Sequence, residues 1–293
     1  MQNQEGLKDF TFANDYVFCS ILTENPHVCK KIAELAIGRK IKKIVKVQAQ
    51  KSVKESVDGK GVRFDVIFED DENSVYDVEM QRYSNDNFPK RARYYQSLLD
   101  LEALGQGTEY DKLKDGYIIF ICTFDPFEKG DYRYIAKTKL EDYPDYNYDD
   151  GTFKIFLNAA YKKDDMDPEL RAFLDYVNKG TVQSDFVSEL EKLKNKLMSS
   201  AERRERFMTL QENYKMHEQI GFEKGITQGI QQGITQGITQ GELNKVLSLF
   251  LKGQLTKPVA IEESGLTEAE FEKYLKEFTE KAEQKPEQKP HSL

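Results

Sequence analysis

The chain has 293 residues, of which 39% are hydrophobic and 32% charged, with a formal net charge of −8 and no tryptophan. That length allows one large domain or a domain with extensions, but the apolar content covers a core for only part of it. The acidic balance argues against a protein that coats nucleic acid by bulk electrostatics, and no apolar run approaches the roughly 18 residues of a membrane span.

The first ten residues read as disordered and lack the basic-then-apolar pattern of a signal peptide. Cys19, Cys29 and Cys122 have no metal-ligand spacing. They are expected to be reduced and buried in a cytoplasmic protein. Asn14 or Asp15 is placed to cap a first helix that carries Val17, Phe18, Ile21 and Leu22 at helical spacing. Pro26 suits the start of a second helix, which Gly38 ends. Between Lys30 and Lys54 stand nine Lys/Arg against one acid, Glu34. The run reads either as a solvated face or as a phosphate-binding patch that includes Lys40, Lys42 and Lys43. Ile41 to Gln50 reads as a strand.

Gly61 to Gln81 is the most informative stretch. Val62, Phe64, Val66 and Phe68 alternate with Arg63, Asp65, Ile67 and Glu69; after an acidic loop, Tyr76, Val78 and Met80 alternate with Asp77, Glu79 and Gln81. This is a hairpin pattern. Centring the turn on Glu72 puts Asp65 opposite Glu79 and Arg63 opposite Gln81, with both carboxylates on one face. Like charges directly opposite destabilise a sheet. Two readings follow: a cation site built on Asp65, Glu79 and Gln81, or a polar sheet face turned to water.

Pro89 opens a helix to about Leu104, with Ala92, Tyr95, Leu98, Leu99 and Leu101 as its core stripe. Lys90, Arg91 and Arg93 crowd its first turn against the helix dipole, which suits an anionic partner. Tyr117–Thr123 is a continuous apolar run, as in a strand buried on both faces. The helix before it suggests a right-handed crossover. Further strands are expected near Tyr132–Lys137 and Thr152–Leu157. Asp185 to about Gln219 reads as one long charged helix that leaves the core. Glycine then recurs every four residues from Gly221 to Gly241, with Ile226, Ile230, Ile234 and Ile238 just after. Interior glycines cost about 1 kcal/mol each, so the segment is either packed against a partner helix or a linker. Residues 242–280 read as three short helices stopped by Gly253 and Gly265, with helix-turn-helix pacing at SGLT. The expected division is 1–180, 181–241, 242–280 and a disordered tail, 281–293.

FANDYVF at 12–18, IGRK at 37–40, FDV at 64–66, DVEMQ at 77–81, PKRARYYQSLLD at 89–100, YIIFICTFDPF at 117–127 and FLDYVNKG at 173–180 together resemble the bacterial Rpn family. These are recombination-promoting nucleases, also described as transposases, of the PD-(D/E)XK superfamily. The resemblance implies an αβββαβ restriction-endonuclease-like α/β core and Mg²⁺- or Mn²⁺-dependent DNA endonuclease activity. Recombination, mobile-element and phage-defence roles all come with it. It makes Asp65, Glu79 and Gln81 catalytic and gives Asp65, Glu79 and the Met80 carbonyl to the metal. Asp15 becomes a holder of metal-bound water, and Arg91 and Arg93 join the three lysines as DNA contacts. Gln81 stands where the wider superfamily has lysine, so a catalytic charge is missing. The competing expectation is a catalytically weak DNA- or protein-binding module of the same fold. A homodimer through the C-terminal helices is expected with either.

Overall fold

The computed structural model describes residues 9–53, 62–84, 87–104, 107–163 and 165–283. The expected disordered ends lie mostly outside that range. Asp9 and Phe10 are described, and Phe10 is buried against Phe207 at 4.8 Å between rings. Residues 281–283 belong to the last helix.

Asn14 accepts from the Tyr16 and Val17 backbone N–H groups and caps α1 (Asp15–Glu24), whose four expected apolar residues are all buried. Pro26 opens α2 (Pro26–Ile37), and Gly38 ends it at φ 76°, a left-handed turn open to glycine without Cβ strain. Three strands follow: β1 (Ile44–Val53), β2 (Val62–Asp70) and β3 (Val75–Gln81). Then come α3 (Phe88–Ala103), β4 (Gly116–Cys122), β5 (Arg133–Ala136) and β6 (Thr152–Asn158). The succession from α2 to β4 is the αβββαβ order. The described strands form one six-stranded sheet, β1-β2-β3-β4-β6-β5. β1–β3 pair antiparallel, β4 runs parallel to β3 across α3, and β6 runs parallel to β4.

Helices cover both faces. One core joins α1, α2, α4 (Pro168–Lys179) and α5 (Asp185–Ser199) to Val66, Phe68, Tyr76, Val78 and Ile119. The other joins α3 to Val62, Phe64, Ile67, Ile118 and Phe120. All seven residues of β4 are buried, as its unbroken apolar run requires. Rings of Phe68, Tyr76, Tyr117 and Phe153 stack in succession across four strands.

Two expectations are corrected in the helices. Leu101 is 52% exposed and is not part of the α3 stripe. Residues 185–219 are not one helix leaving the core: Ser200 is extended, its hydroxyl accepts from Arg203 N–H, and α6 (Ala201–Leu251) begins there. α5 instead packs on the core through Phe186, Val187, Leu190 and Leu197, and Phe207 of α6 joins them. The first compact unit accordingly runs to Gln211, and the expected division at residue 180 falls inside it.

The second unit, from Glu212, holds most of α6, then α7 (Lys257–Ser264) and α8 (Glu268–Glu283). Its small core is Leu247, Ala260 and Phe271. The first of the three expected short helices is the end of α6. Gly253 and Gly265, both at positive φ, follow the helices they stop. No described helix is long and apolar enough to cross a membrane.

Candidate active site

β2 and β3 pair Val66↔Val78, Ile67↔Asp77, Phe68↔Tyr76 and Glu69↔Val75, the register centred on Glu72. Asp70 holds the acidic turn, accepting from Glu72 and Ser74 N–H and from the Tyr76 hydroxyl. At Asp65 and Glu79 side chains replace the ladder. Asp65 N–H donates to Glu79 Oε1 at 2.7 Å, and Met80 N–H donates to Asp65 Oδ2 at 3.0 Å. Each carboxylate thus bonds the backbone of the opposite strand. That arrangement answers the like-charge conflict by hydrogen bonding to the charged forms.

The strand also changes phase here. Val62 and Phe64 pack under α3, whereas Val66 and Phe68 pack on the opposite face. Residues two apart share a face in a regular strand, so the expected single face for these four is corrected by an irregularity at Asp65. On β1 the pairing runs Ala49↔Val66 and then Lys51↔Phe64, and Gln50 between them has φ 51°.

α1 and α3 bring charge to the pair. Asp15, at the first position of α1, lies 3.2 Å from Arg63. Its Oδ1 is 3.5 Å from the Cys19 sulfur, which also reaches the Asp65 carbonyl at 3.7 Å. Donor atoms of Asp15, Cys19 and Asp65 all lie within 4.8 Å of one another. Burial, then the Asp65 and Asp15 charges, hold Cys19 far above the usual thiol range, so it stays a thiol. From α3, Arg91 donates to Gln81 Oε1 at 2.7 Å, Glu79 Oε2 at 3.3 Å and the Tyr95 hydroxyl at 2.8 Å. Glu79 is 1% exposed. Burial and then Asp65 push its carboxyl up, and the Asp65 N–H and Arg91 pull it back. Asp65 is raised by burial and then by Asp15.

Asp77 is fully buried beside Glu79, and neither of its oxygens meets a donor among the described residues. Two ionised carboxylates cannot bond each other; one proton between them allows it. Burial and then Glu79 hold Asp77 well above the ordinary carboxylate range.

The expected DNA contacts separate into groups. Lys40 pairs with Glu34 at 3.3 Å and Lys42 with Asp71 at 3.7 Å; Lys43 N–H donates to Asp71. Lys42 and Lys43 thus stand at the hairpin turn, about 20 Å along the strand from Asp65 at about 3.3 Å per residue. Arg91 turns inward onto the site, and Arg93 is exposed. Met80 and Gln81 line a cleft of about 330 Å³ with Ala13, Asp15, Arg82, Tyr83 and Ser84. Cys19 was readable in the sequence as the residue one helical turn after Asp15, but only the fold puts both against Asp65.

A mixed sheet between helices, with carboxylates bonded across a β2–β3 hairpin and a (D/E)XQ triplet on β3, defines the PD-(D/E)XK nuclease class. The chain belongs to the PD-(D/E)XK nuclease family transposases, whose family model matches residues 12–221. No curated protein and no solved structure matches the chain.

Proposed function

We propose that the protein is a metal-dependent DNA endonuclease. The observation that carries this reading is the reciprocal bonding of Asp65 and Glu79 across the hairpin, with Asp15 beside one and Arg91 on the other. The donor chemistry fits a hard divalent ion. Asp15 and Asp65 offer carboxylate oxygens within reach of each other, and Cys19 stays protonated. Mg²⁺ takes one or two carboxylates and keeps its waters; Mn²⁺ accepts similar ligands. Asp65, Glu79 and the Met80 carbonyl would hold the ion. Once bound, it would polarise the phosphodiester and lower the pKa of water.

The chain's own groups do the rest. Asp15 orients the attacking water. Gln81 donates its amide N–H to that water or to a phosphoryl oxygen, while its Oε1 stays fixed by Arg91. Arg91 supplies the positive charge that a lysine would carry in place of Gln81. The Asp77 proton limits charge repulsion behind Glu79. Arg93 is the exposed phosphate contact, with Lys40, Lys42 and Lys43 as an outlying patch.

A role in recombination, mobile-element movement or phage defence in the cytoplasm, and a homodimer through α6, complete the proposal. Ile226, Ile230, Ile234 and Ile238 are all exposed, and a Cβ added at any repeat glycine meets nothing within 4 Å. That leaves the row open to a second copy. The second reading, a binding module that cuts poorly, draws on Gln81 and on the acidic net charge.

Plasmid DNA incubated with the protein under Mg²⁺, Mn²⁺ or chelator, with retention measured in parallel, separates the two. Metal-dependent nicking supports the endonuclease. Retention without cleavage in any metal supports the binding module.

A further inference from the structure

A second cavity, of about 390 Å³, lies within the first unit between α1, β1 and the start of α6. Its size is within the about 300–1,000 Å³ of small-molecule sites. Cys19, whose sulfur touches Asp15 and Asp65, forms part of its wall, so the cavity borders the candidate metal donors. Gln50 and Arg206 line it too.

Gln50 holds φ 51° directly across from the irregularity at Asp65. Left-handed backbone is open to glycine and tolerated by asparagine, and glutamine has no such advantage. The position keeps a long amide side chain where backbone geometry alone favours glycine. Strain of this kind collects at functional sites. Arg206 lies over the Tyr16 ring at 6.0 Å, and among the described residues it makes no ion pair. Arg203 beside it is held by Glu24 at 2.7 Å, which leaves Arg206 as the available cation.

We infer that this cavity receives the nucleotide next to the cleaved phosphodiester, with Gln50 on the base edge and Arg206 on the phosphate. The inference rests on the endonuclease reading. A glutamine amide offers a donor and an acceptor at fixed spacing, as adenine's edge requires. An arginine contact to phosphate releases counterions, so it shows in the salt dependence. Ser20 and Thr23 add hydroxyls to the same wall.

The test uses the full chain, a plasmid substrate and sequenced cleavage ends. Gln50→Gly relieves the backbone and removes the amide; Gln50→Asn keeps an amide on a residue that tolerates the conformation. The expected result for Gln50→Gly is a Tm equal to or above wild type, a KM raised about tenfold, and loss of base preference beside the cut. Gln50→Asn recovers part of both losses. Arg206→Ala flattens the salt dependence of binding by about one phosphate contact. A purely structural Gln50 would move Tm and leave KM and cut-site preference alone, which overturns the inference. So does wild-type salt dependence in Arg206→Ala together with wild-type KM in Gln50→Gly. If the wild type itself neither binds nor cuts DNA, the endonuclease reading falls first and this inference with it.

Discussion

The hairpin and the glycine repeat meet an unfavourable sequence feature in opposite ways. At the hairpin, facing carboxylates are satisfied within the chain: each accepts a backbone N–H from the other strand, and Arg91 covers Glu79. Along α6, glycines recur through the middle of a 51-residue helix whose isoleucines stay exposed. Among the described residues, nothing lies within 4 Å of a Cβ added at the repeat glycines to offset that cost. A conflict resolved internally marks a site, and one left open calls for something outside the chain.

The largest expected effect is on catalysis. Arg91→Ala should lower cleavage by about 10²–10³, the loss that follows removal of one preorganised electrostatic group. Adding Gln81→Lys to that variant should restore part of it, because the charge returns to the same phosphate. A double variant as dead as the single one, with retained fold, would remove Arg91 from the chemistry. The same substitution should cost about 1–3 kcal/mol in denaturant unfolding, since Glu79 loses a buried partner.

Next comes pH. Asp65, Asp77 and Glu79 all have raised carboxyl pKa values, with burial as the first cause. The folded protein therefore binds protons more tightly than the unfolded chain. That stability is fully present below about pH 4, where free carboxylates titrate, and is lost as pH rises through the raised values. Mg²⁺ favours the ionised forms. Its thermal shift should grow from pH 6 to pH 8, and scanning calorimetry at both values would expose a flat or inverted trend.

The smallest effect sharpens the other half of the comparison. Gly229→Ala and Gly233→Ala should each stabilise a lone helix by about 1 kcal/mol. If two copies approach closely along the glycines, the added methyls weaken association instead. Sedimentation at several concentrations, read beside helix melting, separates these outcomes.

Much of the fold was legible because its signals were local. Asn14 and Gly38 mark helix ends, β4 is an unbroken apolar run, and the acidic turn sets the Asp65–Glu79 register. The change of phase at Asp65 was not legible, since the apolar run Val66–Ile67–Phe68 fits either phase and only the two cores reveal which residues face which side. Nor was the docking of α5, whose apolar stripe looks the same on a helix that leaves the core. Arg91 read as a surface cation because its first-turn position gives no hint that its side chain reaches Gln81. Lys40 and Lys42 looked uncompensated because Glu34 and Asp71, respectively, pair with them only after folding, when Asp71 also accepts from the Lys43 backbone N–H.

The most direct test compares cleavage of supercoiled plasmid by wild type, Asp65→Asn and Glu79→Gln in Mg²⁺, all three shown to be folded. Nicking or linearisation by the wild type, abolished by chelator and by either substitution, is the predicted result. Equal cleavage by all three, or none by a folded, DNA-bound wild type in Mg²⁺ or Mn²⁺, would contradict it.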